Sequence, residues 1–346
     1  MTADAAPPAA GVETSRQEEA QGSPSTQSRL VRILLGSDLV GIVIPVLVVG
    51  IAMASLFPGF ASSFNVDALL ATIAVTALVG LAQASVLAIG QFNLALPAMG
   101  AFTGMVLGWL LQVGHLPWPL AVLLSFLFAG LLGFVQGAII TWLKLNAFVV
   151  TLGLASVYYG AMFVILGNER FQHIGTELPS FGRDATGPFP NIFIASIIVC
   201  LVMWVLARFT VAGRWLLATG ANAVAARFSA LPVDRIVIGA HAVSGALAGL
   251  ASILLVSRLA VGSPAIGEDW LLSSFAAPVL GGTLLSGGKI SVFGTVLGTA
   301  LLAMIGNALV IVGVSQYWYQ AGLGIIILGA VSIDRLRIGL IASGRL

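Results

Sequence analysis

The polar side chains inside the apolar stretches of this 346-residue chain are mostly neutral amides and hydroxyls: Gln83, Gln91, Asn93, Gln136, Asn146, Thr151 and Asn307. An amide offers both donors and an acceptor. A row of amides therefore suits a polar solute that must be held weakly and then released. The same groups also serve as glue between helices, at about 0.6 kcal/mol per bond. Gly90 and Pro97 flank Gln91 and Asn93 and predict a broken helix there. Irregular backbone at membrane depth is tolerated only inside protein or beside water. On this reading Gln83, Gln91, Asn93, Asn146, Thr151 and Asn307 line a solute path.

Other chemistries lack their residues. A nucleotide P-loop needs G-x-x-x-x-G-K-[ST]. The nearest approach is Gly288-Lys289-Ile290, with Thr283 where the first glycine belongs and Ile290 where a magnesium-binding hydroxyl belongs. His115, His173 and His241 lie on different segments without ligand spacing, so no metal is expected. The single cysteine, Cys200, excludes a disulfide within the chain. No G-x-S-x-G is present, and no cofactor is implied. An ion-coupled carrier places acids within its spans, but Asp38, Asp67 and Asp234 all fall at segment boundaries. His241 reads as a hydrogen-bonded structural residue near one end of its helix. A channel remains, or a carrier driven by another protein.

The elements that must position these groups are apolar helices. The chain is 59% hydrophobic and 8% charged, with mean hydropathy +1.07, against about 25% charged residues in soluble domains. That excludes a soluble enzyme and a disordered chain, and a net charge of +2 is too small to suggest nucleic acid. Residues 1–30 read as a disordered tail, and 31–346 as a membrane domain. About ten segments reach spanning length: 38–57, 68–90, 95–113, 118–142, 147–167, 191–209, 236–261, 270–285, 290–312 and 318–333, with 270–285 short and open to being broken. The fold class is thus an all-α integral membrane protein. With both termini in the cytoplasm, Arg16, Arg29, Arg32, Lys144, Arg208, Arg214, Arg227, Arg235, Lys289, Arg335, Arg337 and Arg345 fall inside. Only Arg170, Arg183 and Arg258 fall outside, as the positive-inside rule requires. Glycines 100, 104 and 108 recur every four residues and read as a helix packing face.

Two loops exceed ordinary length: 168–190 outside and 210–235 inside. In the inner loop Leu216, Leu217, Ala221, Ala225, Phe228 and Leu231 form a rough apolar face at helical spacing, Gly220 permits a close approach and Pro232 ends the stretch. Periodicity fits a helix docked in a partner's groove and one resting on lipid headgroups equally well. An arginine at mid-span costs about 2.5–3.5 kcal/mol. Arg258 is therefore expected near the outer end, where it can snorkel or pair with Glu268 or Asp269, as a structural ion pair or a lipid-phosphate contact. The functional alternative is that Arg258 and Glu268 dock an extracytoplasmic binding protein.

The inner loop also carries a resemblance. Gly213-Arg214 and Ala218-Thr219-Gly220-Ala221-Asn222-Ala223-Val224-Ala225-Ala226-Arg227-Phe228-Ser229 resemble the coupling loop of ribose/xylose/arabinose-type ABC permeases, with Ala230 where that family has glycine. Asn146–Gly153, Val279–Thr283 with Gly287-Gly288, and Ser291–Gly298 are similar to further blocks of the family, in order, and the likeness covers about residues 40–337. One block departs: Gly90-Gln91-Phe92-Asn93-Leu94-Ala95 leans toward branched-chain amino-acid permeases. The resemblance implies a permease in the bacterial inner membrane, importing a monosaccharide or similar small polar solute. It implies ATP-binding subunits that hydrolyse ATP, a periplasmic solute-binding protein and a second permease chain, with lipid around the bundle. It assigns coupling to Gly220, Asn222, Ala225, Ala226 and Arg227, on a cytoplasmic helix between spans six and seven. Importers of amino acids, nucleosides or a signal molecule, and a passive channel, are the alternatives.

Overall fold

The computed structural model describes residues 38–315, 318–325 and 328. The expected 1–30 tail, both termini and the end of the last apolar segment lie outside them. Helix α1 (Asp38–Leu56) and a 3-10 turn (Pro58–Ala61) lead to α2 (Ser63–Leu87), α3 (Leu96–Gln112), α4 (Trp118–Trp142) and α5 (Ala147–Leu166). A short α6 (Glu177–Arg183) and a hairpin of β1 (Ala185–Thr186) and β2 (Phe189–Pro190) precede α7 (Asn191–Phe209). Then come α8 (Val211–Ala221), α9 (Ala223–Phe228), α10 (Val233–Leu259), α11 (Trp270–Leu280) and α12 (Val292–Ile311). Among the described residues α2, α4, α5, α7, α10 and α12 are long and apolar enough to cross a membrane. Part of α1, and α3 and α11, are apolar but shorter.

Local chemistry starts these helices. Ser62 accepts from the Asn65 amide at the head of α2, and Asn146 from the Phe148 amide at the head of α5. Prolines stand in the first turns of α3 and α4, where a missing N–H costs nothing.

Helices α2 and α10 form the centre. The most apolar window of α2 is 83% buried, against 22% for α7 at the periphery. A helix apolar all round belongs in such a place. Small residues bring α10 and α4 together: a Cβ on Gly137 would lie 2.7 Å from Ile238 Cα, and one on Gly133 would overlap the His241 carbonyl. The glycine face of α3 receives loops as well as a helix. Gly100 meets the Trp270 ring, Gly104 meets Ile266 and Ser252, and Gly108 meets Phe171.

Three expectations are revised. The inner loop is two helices, because Asn222 leaves the helical region (φ −160°, ψ 100°) and breaks it. The outer loop contains α6 and the hairpin, which are too short to give a periodic signal. Segment 270–285 stops at Leu280, after Pro278, in a turn that Gly282 closes at φ +83°.

Because α7 separates them, α6 and the α8–α9 elbow lie at opposite ends of the bundle. These are the hairpin end and the elbow end.

Candidate functional site

At the elbow end, α2 stops at Leu87 and the chain turns through Gly90 at φ +69° before α3 begins. The α11–α12 connection turns through Gly287 and Gly288, at φ +89° and +80°. These two breaks meet: the Gly288 amide donates to the Ala88 carbonyl at 2.9 Å. Gly220, near the end of α8, sits directly on the junction. A Cβ there would overlap the Ala88 carbonyl oxygen and lie 2.6 Å from the Gly288 nitrogen. Three segments far apart in sequence thus touch through bare backbone, which only glycine permits.

The elbow holds its own shape. Thr210 caps α8 by accepting from the Gly213 amide at 3.1 Å. Asn222 caps α9 by accepting from the Val224 and Ala225 amides at 3.0 and 2.9 Å. Arg227 pairs with Asp234 at 2.7 Å in an exposed position. Of the expected coupling residues, Asn222, Ala225 and Arg227 are exposed, whereas Gly220 and Ala226 face the bundle. The expected apolar face divides likewise. Leu216 and Leu231 pack with Ile89, Ile140 and Val237, while Phe228 is 89% exposed beside exposed Val224.

Directly above this junction lies a buried hydrogen-bond chain. The fully buried His241 of α10 donates from Nε2 to the Gln91 carbonyl oxygen (2.8 Å), and its Nδ1 accepts from the Gln136 amide of α4 (2.7 Å). The amide orientations require the neutral imidazole with its proton on Nε2. One turn on, Asn93 donates to Ser244 at 3.0 Å and accepts from the Ala95 amide. The broken stretch 91–93 is therefore tied twice to α10. Gln91 also borders a 240 Å³ cavity shared with Thr219 of α8, Lys144, Arg227 and Asp234. The Thr219 hydroxyl and both amide atoms of Gln83 are buried without partners among the described residues.

A family model described as "Branched-chain amino acid transport system / permease component" matches residues 65–331. The chain belongs to this permease family. It is 32% identical over 297 residues to the ribose import permease protein RbsC of Bacillus subtilis, covering 85% of this chain and 91% of that one. It is 29% identical over 277 residues to the D-allose transport system permease protein AlsC of Escherichia coli, covering 80% and 85%. It is 33% identical over 253 residues to an autoinducer 2 import system permease protein, LsrC, of Escherichia coli, covering 70% and 72%. No solved structure matches the chain. The permease is a multi-pass transport subunit of the cytoplasmic membrane, not an enzyme, and its family implies ATP-binding and solute-binding partners.

The remaining expected path residues of the permease do not join the Gln91 cluster. Asn146 caps α5 at the elbow end, and buried Thr151 donates to the Phe148 carbonyl. Asn307 lies at the hairpin end, in a reciprocal amide pair with Asn65 (2.8 and 3.1 Å). Arg258 forms its ion pair with Asp67 at the head of α2, rather than with Glu268 or Asp269. The helix ends explain the choice: the C-terminus of α10 and the N-terminus of α2 lie side by side. Arg183 donates to the Arg258 and Leu259 carbonyls and satisfies the end of α10. Sequence reasoning missed Asp67 and Arg183, whose partners are distant in the chain. It also missed the link from Gly220 to Gly90 and Gly287.

Proposed function

We propose that this permease imports a monosaccharide, driven by ATP-binding subunits that grip the elbow from the cytosol. The reading rests above all on the contact of Gly220 with Ala88 and Gly288, which ties the elbow to both helix breaks. An ATPase that moves the elbow by an ångström must move residues 88–93 and 286–291 with it, since backbone in van der Waals contact leaves no slack. Exposed Val224, Phe228, Ala225 and Arg227 form the gripping surface. Gly220 and Ala226 act from beneath it. Asn222 keeps α9 in register.

In this arrangement the bundle has ten spans with both termini in the cytosol, and two permease chains enclose the path. Gln91 and Asn93, with Gln83 and Thr151 elsewhere in the bundle, offer neutral amides and hydroxyls to the solute. Asn146 and Asn307 also belong to the path's polar set, though each has a partner in the fold. The hairpin end meets the solute-binding protein, with Glu268 exposed there and Arg258 fixed by its ion pair. The sugar assignment draws on relatives named for ribose, allose, L-arabinose and fructose.

The test is reconstitution in vesicles with and without the ATP-binding subunit and binding protein. The full assembly should accumulate one of D-ribose, D-allose, L-arabinose or D-fructose against its gradient, with ATP, and the permease alone should accumulate none. Uphill uptake by the permease alone, or uptake of L-leucine in preference to every sugar, overturns the reading.

A further inference from the structure

We propose that a pocket at the hairpin end is an acceptance site for the monosaccharide, filled on release from the binding protein and before passage inward. The proposal rests on the import reading above. The pocket measures 450 Å³ and lies between the last turns of α5 and the α10–α11 loop. That volume is within the usual range for small-molecule sites. Its walls carry Tyr159, Phe163, Asn168, Arg170, Ser263 and Glu268.

These groups match a sugar's two surfaces. A pyranose or furanose presents apolar C–H faces and a rim of hydroxyls that each donate and accept. Tyr159 and Phe163 offer rings to the faces. Glu268 accepts only, Arg170 donates only, and Asn168 does both, so adjacent hydroxyls find complementary partners. Ion pairs among the described residues join Arg227 to Asp234 and Arg258 to Asp67. Neither Arg170 nor Glu268 takes part in an ion pair among the described residues, and their opposite charges balance within the pocket's lining, as a neutral solute requires.

The walls are also fixed in advance. Arg170 precedes Phe171, which exchanges both backbone hydrogen bonds with Gly262 at 2.9 Å and is buried against Gly108. The opposite wall follows directly from Gly262. Ser263 accepts from the Ala265 and Ile266 amides, Gly267 turns the chain at φ +83°, and Ile266 and Trp270 seat on Gly104 and Gly100. Both walls therefore stand on the glycine face of α3. A site held this way loses little freedom when it binds.

Saturation-transfer NMR on the purified permease in lipid nanodiscs, without the binding protein, tests the site with D-ribose, D-allose, L-arabinose and D-fructose. At least one sugar should bind saturably. Glu268→Gln and Arg170→Gln should each weaken it about tenfold, the worth of a hydrogen bond to a charged group. Thr186→Ala, on the hairpin outside the pocket, should leave binding unchanged. Absence of saturable binding by all four sugars, wild-type affinity in both pocket variants, or displacement of the sugar by L-leucine overturns the proposal. Uptake by the complete importer separates the two readings. If the importer accumulates sugar and Glu268→Gln alters neither binding nor KM, the acceptance site falls and the import reading stands. If the wild-type importer accumulates no sugar, the import reading falls and takes the site with it.

Discussion

The two ends of the bundle are tied by different means. At the elbow end, segments join mainly through backbone: Gly220 on Ala88 and Gly288, and Gly287 on Gly90, whose nitrogen would lie 2.7 Å from a Cβ. At the hairpin end side-chain ties stand beside backbone ones: Arg258 to Asp67, Asn65 to Asn307, and Arg183 to the end of α10, with Phe171 and Gly262 exchanging backbone hydrogen bonds. Gly182 against the last turn of α10 is a backbone contact there too. Long side chains swing and exchange partners, while touching backbones cannot. On the proposed reading the elbow end passes displacement on through its backbone contacts, while the hairpin end holds its shape through backbone and side-chain ties together.

The largest effect should come from filling the elbow junction. Gly220→Val places atoms where the Ala88 carbonyl stands, and overpacking of this kind costs about 1–3 kcal/mol. The elbow must lift, so ATP-dependent uptake should fall by at least about tenfold on the same scale, with the chain still inserted and assembled. Gly59→Val at the hairpin end, where a Cβ meets nothing within 4 Å, should change stability by less than about 0.5 kcal/mol. Equal losses of uptake in the two variants would erase the distinction between the ends.

Next comes the hydrogen-bond chain above the junction. His241→Leu removes the partner of Gln91 and strands the Gln136 amide between α4 and α10. Stranded buried polar groups cost about 1–3 kcal/mol each. Thermal unfolding in detergent should report a loss of about 2 kcal/mol, and uptake should fall with it because residues 91–93 lose one of their two ties to α10. Unchanged stability would mean that the imidazole contributes nothing to holding the break.

The hairpin-end counterpart is milder. Arg258→Leu leaves Asp67 partly buried without its cation, at a cost of about 1–2 kcal/mol, between exposed and buried pairs. Exchanging the two residues should restore most of that stability. Uptake in Arg258→Leu should stay within about twofold of wild type, since a pair of this kind is worth little and touches neither helix break. A collapse of uptake with normal stability would move Arg258 into the machinery.

What the sequence made legible follows from the range of each signal. Spans such as 118–142 coincide with α4 because their length and hydropathy are local properties. The break at Gln91–Asn93 was visible in Gly90 and Pro97. The split of the coupling stretch was not visible, because one asparagine has helical neighbours on both sides and its capping bonds appear only when φ and ψ do. Local sequence offers Arg258 the interface, Glu268 or Asp269, whereas the fold supplies Asp67 from 191 residues away. The joint at Gly220 depends on three loops meeting, and no window of sequence contains all three.

Caps give the finest comparison, since the same bond is made at both ends. Asn222 caps α9 and Ser62 caps α2, and replacing either with alanine removes about 1 kcal/mol. Helix α2 has 25 residues and a buried centre, so losing one cap frays a single turn. Helix α9 has six residues and donates two hydrogen bonds to the Asn222 side chain, so the same loss threatens the whole element. Asn222→Ala should therefore speed amide exchange across residues 223–228 and lower ATP-dependent uptake by about fivefold, the kinetic equivalent of one cap. Asn222→Asp keeps an accepting oxygen and should recover most of it. Ser62→Ala should leave uptake unchanged. If Ser62→Ala lowers uptake as much as Asn222→Ala does, the elbow has no privileged role in transmission, and the contrast drawn from backbone contact fails with it.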